Sequence, residues 1–251
     1  PSNWKVEKQD DGLFKVEVDG ELSVLLPDTI SSKVCSAGQL PTGFDPANLY
    51  QSRNHPRGLQ LTVFAASDAV SSLGINWEQV KNRVPPDQIS VYASSAMGQL
   101  DSNGSGGLLQ AALQGRRTTS KNLPLGLAEM TADFVNAYVL GNVGTTGANI
   151  GACATFLYNL RQGINDIKSG KYKVAIVGAS EAPLTPEVIE GYRKMGALAE
   201  DEALAKIDNI ETKNVNHRLA CRPFGENCGF TLSEGSQFII LFDDELALEL
   251  G

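Results

Sequence analysis

Cys153 sits where a strand-like run gives way to a helical pattern, in Ala148-Asn149-Ile150-Gly151-Ala152-Cys153-Ala154-Thr155-Phe156. Downstream, Leu157, Leu160, Ile164 and Ile167 recur at helical spacing, on the face that also carries Cys153. A thiol at a helix N-terminus meets free backbone N–H groups and the positive end of the helix dipole, and both favour the thiolate. Such a placement prepares nucleophilic attack by sulfur. The competing reading is a small buried hydrophobe, since free cysteine is among the most buried residue types. Gly151-Ala152-Cys153-Ala154-Thr155 also has the small-residue pattern of a nucleophile elbow. A cysteine hydrolase would need a histidine downstream. His217 is the only one there, in Asn214-Val215-Asn216-His217-Arg218, a polar stretch that reads as a solvated loop.

Positioning Cys153 requires an α/β framework. Ala148–Ala152 reads as a strand into Cys153, followed by a helix to Ser169-Gly170 and a buried apolar strand, Tyr172–Gly178, which together make a βαβ unit. Ile89–Ala93 is a second strand and Phe238–Phe242 a last central one, before a C-terminal helix ending at Gly251. Helices are expected over Gly58–Leu73, Trp77–Val84, Leu108–Leu113, residues 186–205, and Ala132–Leu140, with Thr131 as N-cap and Gly141 as terminator. Gly104–Gly107 reads as a flexible turn, and Ser31–Pro56 is rich in loop formers. At the N-terminus, Trp4–Val6, Phe14–Val18 and Leu22–Leu26 are short strands of an appended β element.

The chain has 251 residues, 42% hydrophobic and 20% charged, as in a globular protein with a sizeable core. Its formal net charge of -8 argues against general nucleic-acid binding. No apolar run is long enough to span a membrane. Cys35, Cys153, Cys221 and Cys228 fall at wide, uneven intervals that match no zinc pattern, and they read as reduced thiols in a reducing compartment. Gly141–Gly147 lacks the preceding strand and the lysine of a phosphate loop, so it is a turn. Arg116, Arg117 and Lys121 form a small basic cluster, either a solvated loop or a contact for an acidic partner. Cys221–Gly235 is a rigid loop rich in Pro, Gly and aromatic residues, placed just before a buried strand, where α/β proteins put functional groups.

Here the motifs carry a resemblance. Gly151-Ala152-Cys153-Ala154-Thr155 resembles the active-site segment of β-ketoacyl-[acyl carrier protein] synthases, the condensing enzymes of fatty acid synthesis. Three further blocks resemble the family in the same order: Ser169–Ala182, Tyr192-Arg193-Lys194-Met195-Gly196-Ala197-Leu198, and Arg222-Pro223-Phe224 through Gly229-Phe230 and Glu234-Gly235. The likeness covers residues 58–251. Ser36–Phe44 and Cys221–Phe230 resemble, within the family, a long divergent bacterial branch that can start fatty acid synthesis from an acetyl group.

The resemblance implies a thiolase-like layered α-β-α fold, its N-terminal half only, with residues 1–57 as appended β element and lead-in and 58–251 as the synthase domain. It implies Cys153 as acyl acceptor, the Cys153 N–H in an oxyanion hole, and Gly229, Phe230 and Thr231 at the acyl pocket. An acyl-CoA or acyl-carrier would be the substrate, and an acidic acyl carrier protein would dock on Arg116, Arg117 and Lys121. A homodimer through Thr131–Leu140, a cytoplasmic location, and no metal or cofactor complete the expectation. The family's two histidines, in His-Gly-x-x-Thr and Gly-His motifs, its lysine and its glycine-rich loop have no counterpart here, and neither His55 nor His217 matches them. The family's opening Val- and Gly-rich strand is also not evident before residue 27. With a chain opening Pro1-Ser2-Asn3, the expectation is an internal piece of a longer polypeptide that does not condense by itself. The alternatives are a thiolase-fold scaffold or carrier-binding protein with Cys153 incidental, and the cysteine hydrolase with His217.

Overall fold

The computed structural model describes residues 3–21, 31–141 and 144–251. Contacts divide the chain into two compact units, residues 1–32 and 33–251. In the first, β1 (Trp4–Lys8) and β2 (Phe14–Val18) pair antiparallel around the Asp10-Asp11-Gly12 turn, with Trp4 opposite Val18 and Val6 opposite Val16. The expected strand Leu22–Leu26 lies outside the described residues. The loop-rich stretch from residue 33 to 57 belongs to the second unit. Gly38 donates to Leu232 O at 2.8 Å, Leu40 N–H donates to Glu234 at 3.0 Å, and the Arg57 guanidinium grips Glu234 with bonds of 3.0 and 3.2 Å.

The second unit is built on a four-stranded mixed sheet. After α1 (Arg57–Ser71) and α2 (Trp77–Arg83) come β3 (Ile89–Ser94), then the short helices α3 (Ser105–Gln110), α4 (Asn122–Leu125) and α5 (Met130–Phe134). β4 (Thr145–Gly147), α6 (Thr155–Lys168), β5 (Val174–Glu181), α7 (Pro186–Lys194), α8 (Asp201–Asp208), β6 (Gly235–Phe242) and α9 (Asp244–Leu250) follow. The strand order is β4-β3-β5-β6, with β3, β4 and β5 parallel and β6 antiparallel to β5. Strand alternation divides the side chains between two layers of helices. Ile89, Val91, Ala93, Val174 and Ile176 pack into the main core with Ala66, Val80, Val135 and Leu246. Ser90, Tyr92, Ser94, Ala175 and Val177 alternate with them and so point to the opposite face, where α6 lies against β3 and β5.

That second face differs from expectation. The side of α6 turned to the sheet is Thr155, Asn159, Gly163 and Asp166, all buried, while Leu157 is exposed and Leu160, Ile164 and Ile167 are only half-buried. The reason is proximity: a Cβ on Gly163 would sit 2.5 Å from Val177 Cγ1, so this face admits small and hydrogen-bonding residues rather than leucines. Tyr92 donates from its hydroxyl to Asp166, closing the lower end of the contact. The apolar stripe of α6 therefore faces away from the sheet.

Other elements shift for local reasons. Ala148–Ala152 is irregular and the strand is Thr145–Gly147, because Asn149 is held by a side chain of α6 rather than by a neighbouring strand. The three glycines in Gly104–Gly107 are not a loose turn but cap and begin α3, coiled so closely on the preceding loop that a Cβ on Gly107 would lie 1.9 Å from Ser102 O. Thr131 is buried inside α5 rather than capping it, and the helix widens into a π-helical turn over Val135–Leu140 before Gly141 ends it in the left-handed region, as expected. Residues 186–205 are broken into α7 and α8 by the Met195–Glu200 turn. β6 is an edge strand, not a central one, among the described residues.

Candidate active site

Cys153 lies just outside α6, one residue before its N-cap Ala154, and it is exposed, which removes the buried-hydrophobe reading. The chain enters this position through a tight elbow. Ala152 has a φ of 49°, a left-handed conformation that costs a non-glycine residue about 1–2 kcal/mol. Thr155 holds it in place: its hydroxyl accepts from Gly151 N–H at 3.1 Å and donates to Ala152 O at 2.7 Å. Ala154 and Thr155 N–H donate back to Gly151 O and Ala152 O at 3.0 and 3.1 Å, and the Cys153 N–H takes part in none of these bonds. The thiol thus follows a strained turn that its surroundings over-determine, and backbone strain of this kind is concentrated at functional positions.

Beneath the elbow, one buried side chain does most of the positioning. Asn159 Oδ1 accepts from Asn149 N–H at 3.0 Å and from its side-chain amide at 3.2 Å. Its Nδ2 donates to Ser94 Oγ at 2.9 Å and Gly178 O at 3.0 Å. Ser94 in turn donates to Asn149 O at 2.7 Å. The segment leading to Cys153 is thereby fixed to the ends of β3 and β5. Close by in the chain, Glu181 ends β5, accepting from Ala96 N–H and, at 2.9 Å, from Ser95 Oγ. Burial pushes its pKa up, and the hydrogen bonds from Ala96, Ser95 and the Met97 N–H only partly oppose the shift. Asn159 and Glu181 were not singled out from sequence. The only signal for Asn159 is that Thr155, Asn159, Gly163 and Asp166 recur at helical spacing as one small and polar face.

Gly229, Phe230 and Thr231 precede β6. Since Gly235 pairs with Glu181 at the C-terminal end of β5, these residues and Cys153 belong to the same end of the sheet, where parallel α/β folds place their sites. Phe230 forms a parallel bridge with Leu198: its N–H donates to Ala197 O at 3.0 Å and its carbonyl accepts from Ala199 N–H at 3.1 Å. The Met195–Leu198 block is therefore the support of Phe230. Gly229 has a φ of 151°, and a Cβ there would lie 2.6 Å from the Leu198 carbonyl carbon, so this strand pairing excludes any larger residue. The Phe230 ring is about half exposed and meets Tyr192 edge-on at 5.6 Å. Thr231 Oγ1 is buried with no hydrogen-bond partner among the described residues. Arg222 is structural here, forming a two-pronged pair with Asp208 at 2.7 and 2.6 Å.

Arg116, Arg117 and Lys121 come together along one cleft of about 660 Å³ with Asn54, Ser102 and Asn103. His217 does not approach Cys153 in any contact. Its Nε2 lies 3.2 Å from Asp201 Oδ2, which leaves the hydrolase reading without its base. His55 is enclosed by Tyr50, Phe134 and Tyr138, and burial, followed by the nearby Lys121 charge, lowers its pKa. No helix is long and apolar enough to cross a membrane among the described residues.

Comparison with known proteins gives a consistent answer. The profile of the β-ketoacyl synthase N-terminal domain matches residues 34–247. The chain is 54% identical over all 251 residues to the β-ketoacyl-[acyl-carrier-protein] synthase FabY of Pseudomonas aeruginosa, of which the match covers 39%. It is 27% identical over 202 residues to a 3-oxoacyl-[acyl-carrier-protein] synthase 2 of Staphylococcus aureus, covering 80% of this chain and 46% of that protein. The crystal structure of the P. aeruginosa FabY ketosynthase superposes with a TM-score of 0.93 over the whole chain and 39% of its own length. The chain thus spans less than half the length of these curated relatives. With its profile match over most of the chain and its identity to FabY over the whole of it, the chain belongs to the β-ketoacyl synthase family and matches its N-terminal domain.

Proposed function

We propose that the chain carries the acyl-accepting part of a decarboxylative condensing site in fatty acid synthesis, with Cys153 as nucleophile. The observation that carries this reading is the exposed thiol on a strained elbow at the C-terminal end of the parallel strands. The Cys153 thiolate attacks the carbonyl of an acyl-CoA or acyl-carrier thioester. The donor C–S bond breaks, its thiol departs with a proton, and the acyl group remains as a thioester on Cys153. A malonyl-carrier then loses CO₂, and its carbanion attacks that thioester. A C–C bond forms, the Cys153 thiolate is released, and a 3-oxoacyl-carrier leaves. The Cys153 N–H stabilises the oxyanion, free as it is of the elbow's own hydrogen bonds.

Phe230 lines or gates the acyl chain, with Gly229 and Thr231 shaping the pocket around it. Arg116, Arg117 and Lys121 receive the acidic carrier protein, for which their shared cleft and cationic charge are suited. The histidines of the decarboxylation step are not among these 251 residues, since neither His55 nor His217 lies in the family's histidine motifs. A homodimer formed through Thr131–Leu140 and a cytoplasmic location complete the proposal.

Incubating the intact protein with acyl-CoA and mapping the adduct by mass tests the nucleophile. A single acyl group on the Cys153 peptide, lost in Cys153→Ala, is expected. No adduct, or one that survives Cys153→Ala, would overturn the assignment and leave a carrier-binding scaffold as the reading. The 251-residue chain alone is expected to take the acyl group without forming 3-oxoacyl product.

A further inference from the structure

Three side chains from distant parts of the sequence meet away from the elbow and its network. Cys35 lies in the irregular lead-in to α1, Asp201 is the first residue of α8, and His217 opens a short 3-10 turn. One ligand atom from each, the Cys35 Sγ, an Asp201 carboxylate oxygen and a His217 ring nitrogen, all lie within 4.8 Å of one another. We propose that these residues form a binding site for a thiophilic divalent cation, zinc in the first place. The proposal does not depend on the condensing activity.

The geometry is close to that of a metal site before any adjustment. Tetrahedral zinc with bonds of 2.0–2.2 Å to nitrogen and oxygen sets those two ligand atoms about 3.3 Å apart. His217 Nε2 and Asp201 Oδ2 are 3.2 Å apart. Asp201 is aimed by its surroundings. Its own N–H donates to Lys33 O at 2.9 Å, and its Oδ1 accepts from Cys35 N–H at 3.2 Å, which turns Oδ2 towards the histidine. The histidine turn is fixed in the same way, with Asn216 accepting from Arg218 N–H at 3.2 Å. The backbone carrying Cys35 is thus tied to Asp201, the His217 turn has its own cap, and the Cys35 Sγ lies within 4.8 Å of both partner ligand atoms.

The donor set selects the ion. A thiolate, an imidazole and a carboxylate suit zinc, whereas magnesium and calcium require oxygen ligands throughout. His217 is 42% exposed and the Asp201 side chain 15%, so the cluster opens to solvent on one side, where water would complete a fourth position. On binding, the Cys35 S–H bond ionises and its proton passes to solvent. Neutral His217 and the Asp201 carboxylate donate lone pairs, with no change in oxidation state. The bound ion would brace the support of Phe230, because Asp201 stands two residues beyond Ala199. The ligands are spread from residue 35 to residue 217, so no short metal-binding motif marks them in the sequence.

Cobalt(II) titration of the metal-stripped intact protein tests this, with zinc as competitor. One equivalent of cobalt is expected, with a sulfur-to-cobalt charge-transfer band that zinc abolishes. The band should vanish in Cys35→Ser and persist in Cys153→Ser. Zinc affinity should fall by at least about 100-fold in Cys35→Ser and in His217→Gln, since even outer-shell changes cost 10–100-fold. Circular dichroism checks that each variant is folded, and His217→Gln decides the matter should Cys35→Ser not fold. Absence of cobalt uptake, or uptake unchanged in His217→Gln, would overturn the proposal.

Discussion

Replacing Asn159 by Ala should loosen the Cys153 elbow from the sheet, and the hydrogen bonds set the size of the effect. The substitution orphans the Asn149 N–H and removes one bond each from the Asn149 side-chain amide, Ser94 Oγ and Gly178 O, while Ser94 keeps its bond to Asn149 O. An orphaned N–H costs about 2 kcal/mol and each of the three partial losses about 0.5 kcal/mol, for a total of about 3.5 kcal/mol. The better helix propensity of alanine returns about 0.5 kcal/mol, leaving a net loss of about 3 kcal/mol. Urea unfolding of the intact protein measures this difference, and iodoacetamide labelling followed by peptide mass reports the Cys153 environment. A several-fold change in Cys153 labelling rate is expected, because the segment from Asn149 to Cys153 loses its anchor. Asn159→Asp should be at least as damaging, since it keeps the acceptor for Asn149 but turns a carboxylate towards Gly178 O. A stability change below about 0.5 kcal/mol with unaltered labelling would refute the idea that Asn159 positions the elbow, because even one orphaned amide costs more.

Two further outcomes follow from packing and charge. Gly163→Ala should destabilise the protein by about 1–2 kcal/mol although alanine is the better helix former, because its Cβ would press on Val177 Cγ1; a thermal melt showing stabilisation would contradict the close α6–sheet contact. Glu234→Gln should cost about 2 kcal/mol at neutral pH, since the part-buried carboxylate accepts charged bonds from Arg57. Burial pushes the Glu234 pKa up, but the Arg57 bonds and the Leu40 N–H outweigh it and hold it below the ordinary value. The folded state therefore binds fewer protons than the unfolded one near that value. The stabilisation is complete above the unfolded pKa and fades as pH falls through the lower folded one. Denaturation profiles of wild type and Glu234→Gln should be fully separated above the ordinary glutamate pKa and converge only once the pH has fallen below the lowered folded one; a pH-independent gap would remove the charge from the explanation.

What could be read from sequence was what depends on local chemistry. Strands β3 and β5, helices α1 and α2, and the stop at Gly141 follow from apolar runs and terminators a few residues apart. The four family blocks were legible for the same reason, as contiguous words whose order survives without any structure. The elements that moved are those whose conformation answers to a distant partner. The strand expected at Ala148–Ala152 yields to Asn159, ten residues on from Asn149, and the glycines at Gly104–Gly107 coil because Ser102 O lies against them.

The sequence by itself determined that a cysteine stands between a strand and a helix, in a set of motifs belonging to condensing enzymes. Only the tertiary structure decided which way α6 faces, and hence that the thiol rests on a polar network rather than in an apolar core. Periodicity marks the stripe of leucines and isoleucines on α6 but not which surface will meet the sheet. That choice was made by the distance of approach, which Gly163 permits and a leucine would forbid. Likewise the meeting of Cys35, Asp201 and His217 is a product of chain closure over long separations, and residue spacing carries no trace of it.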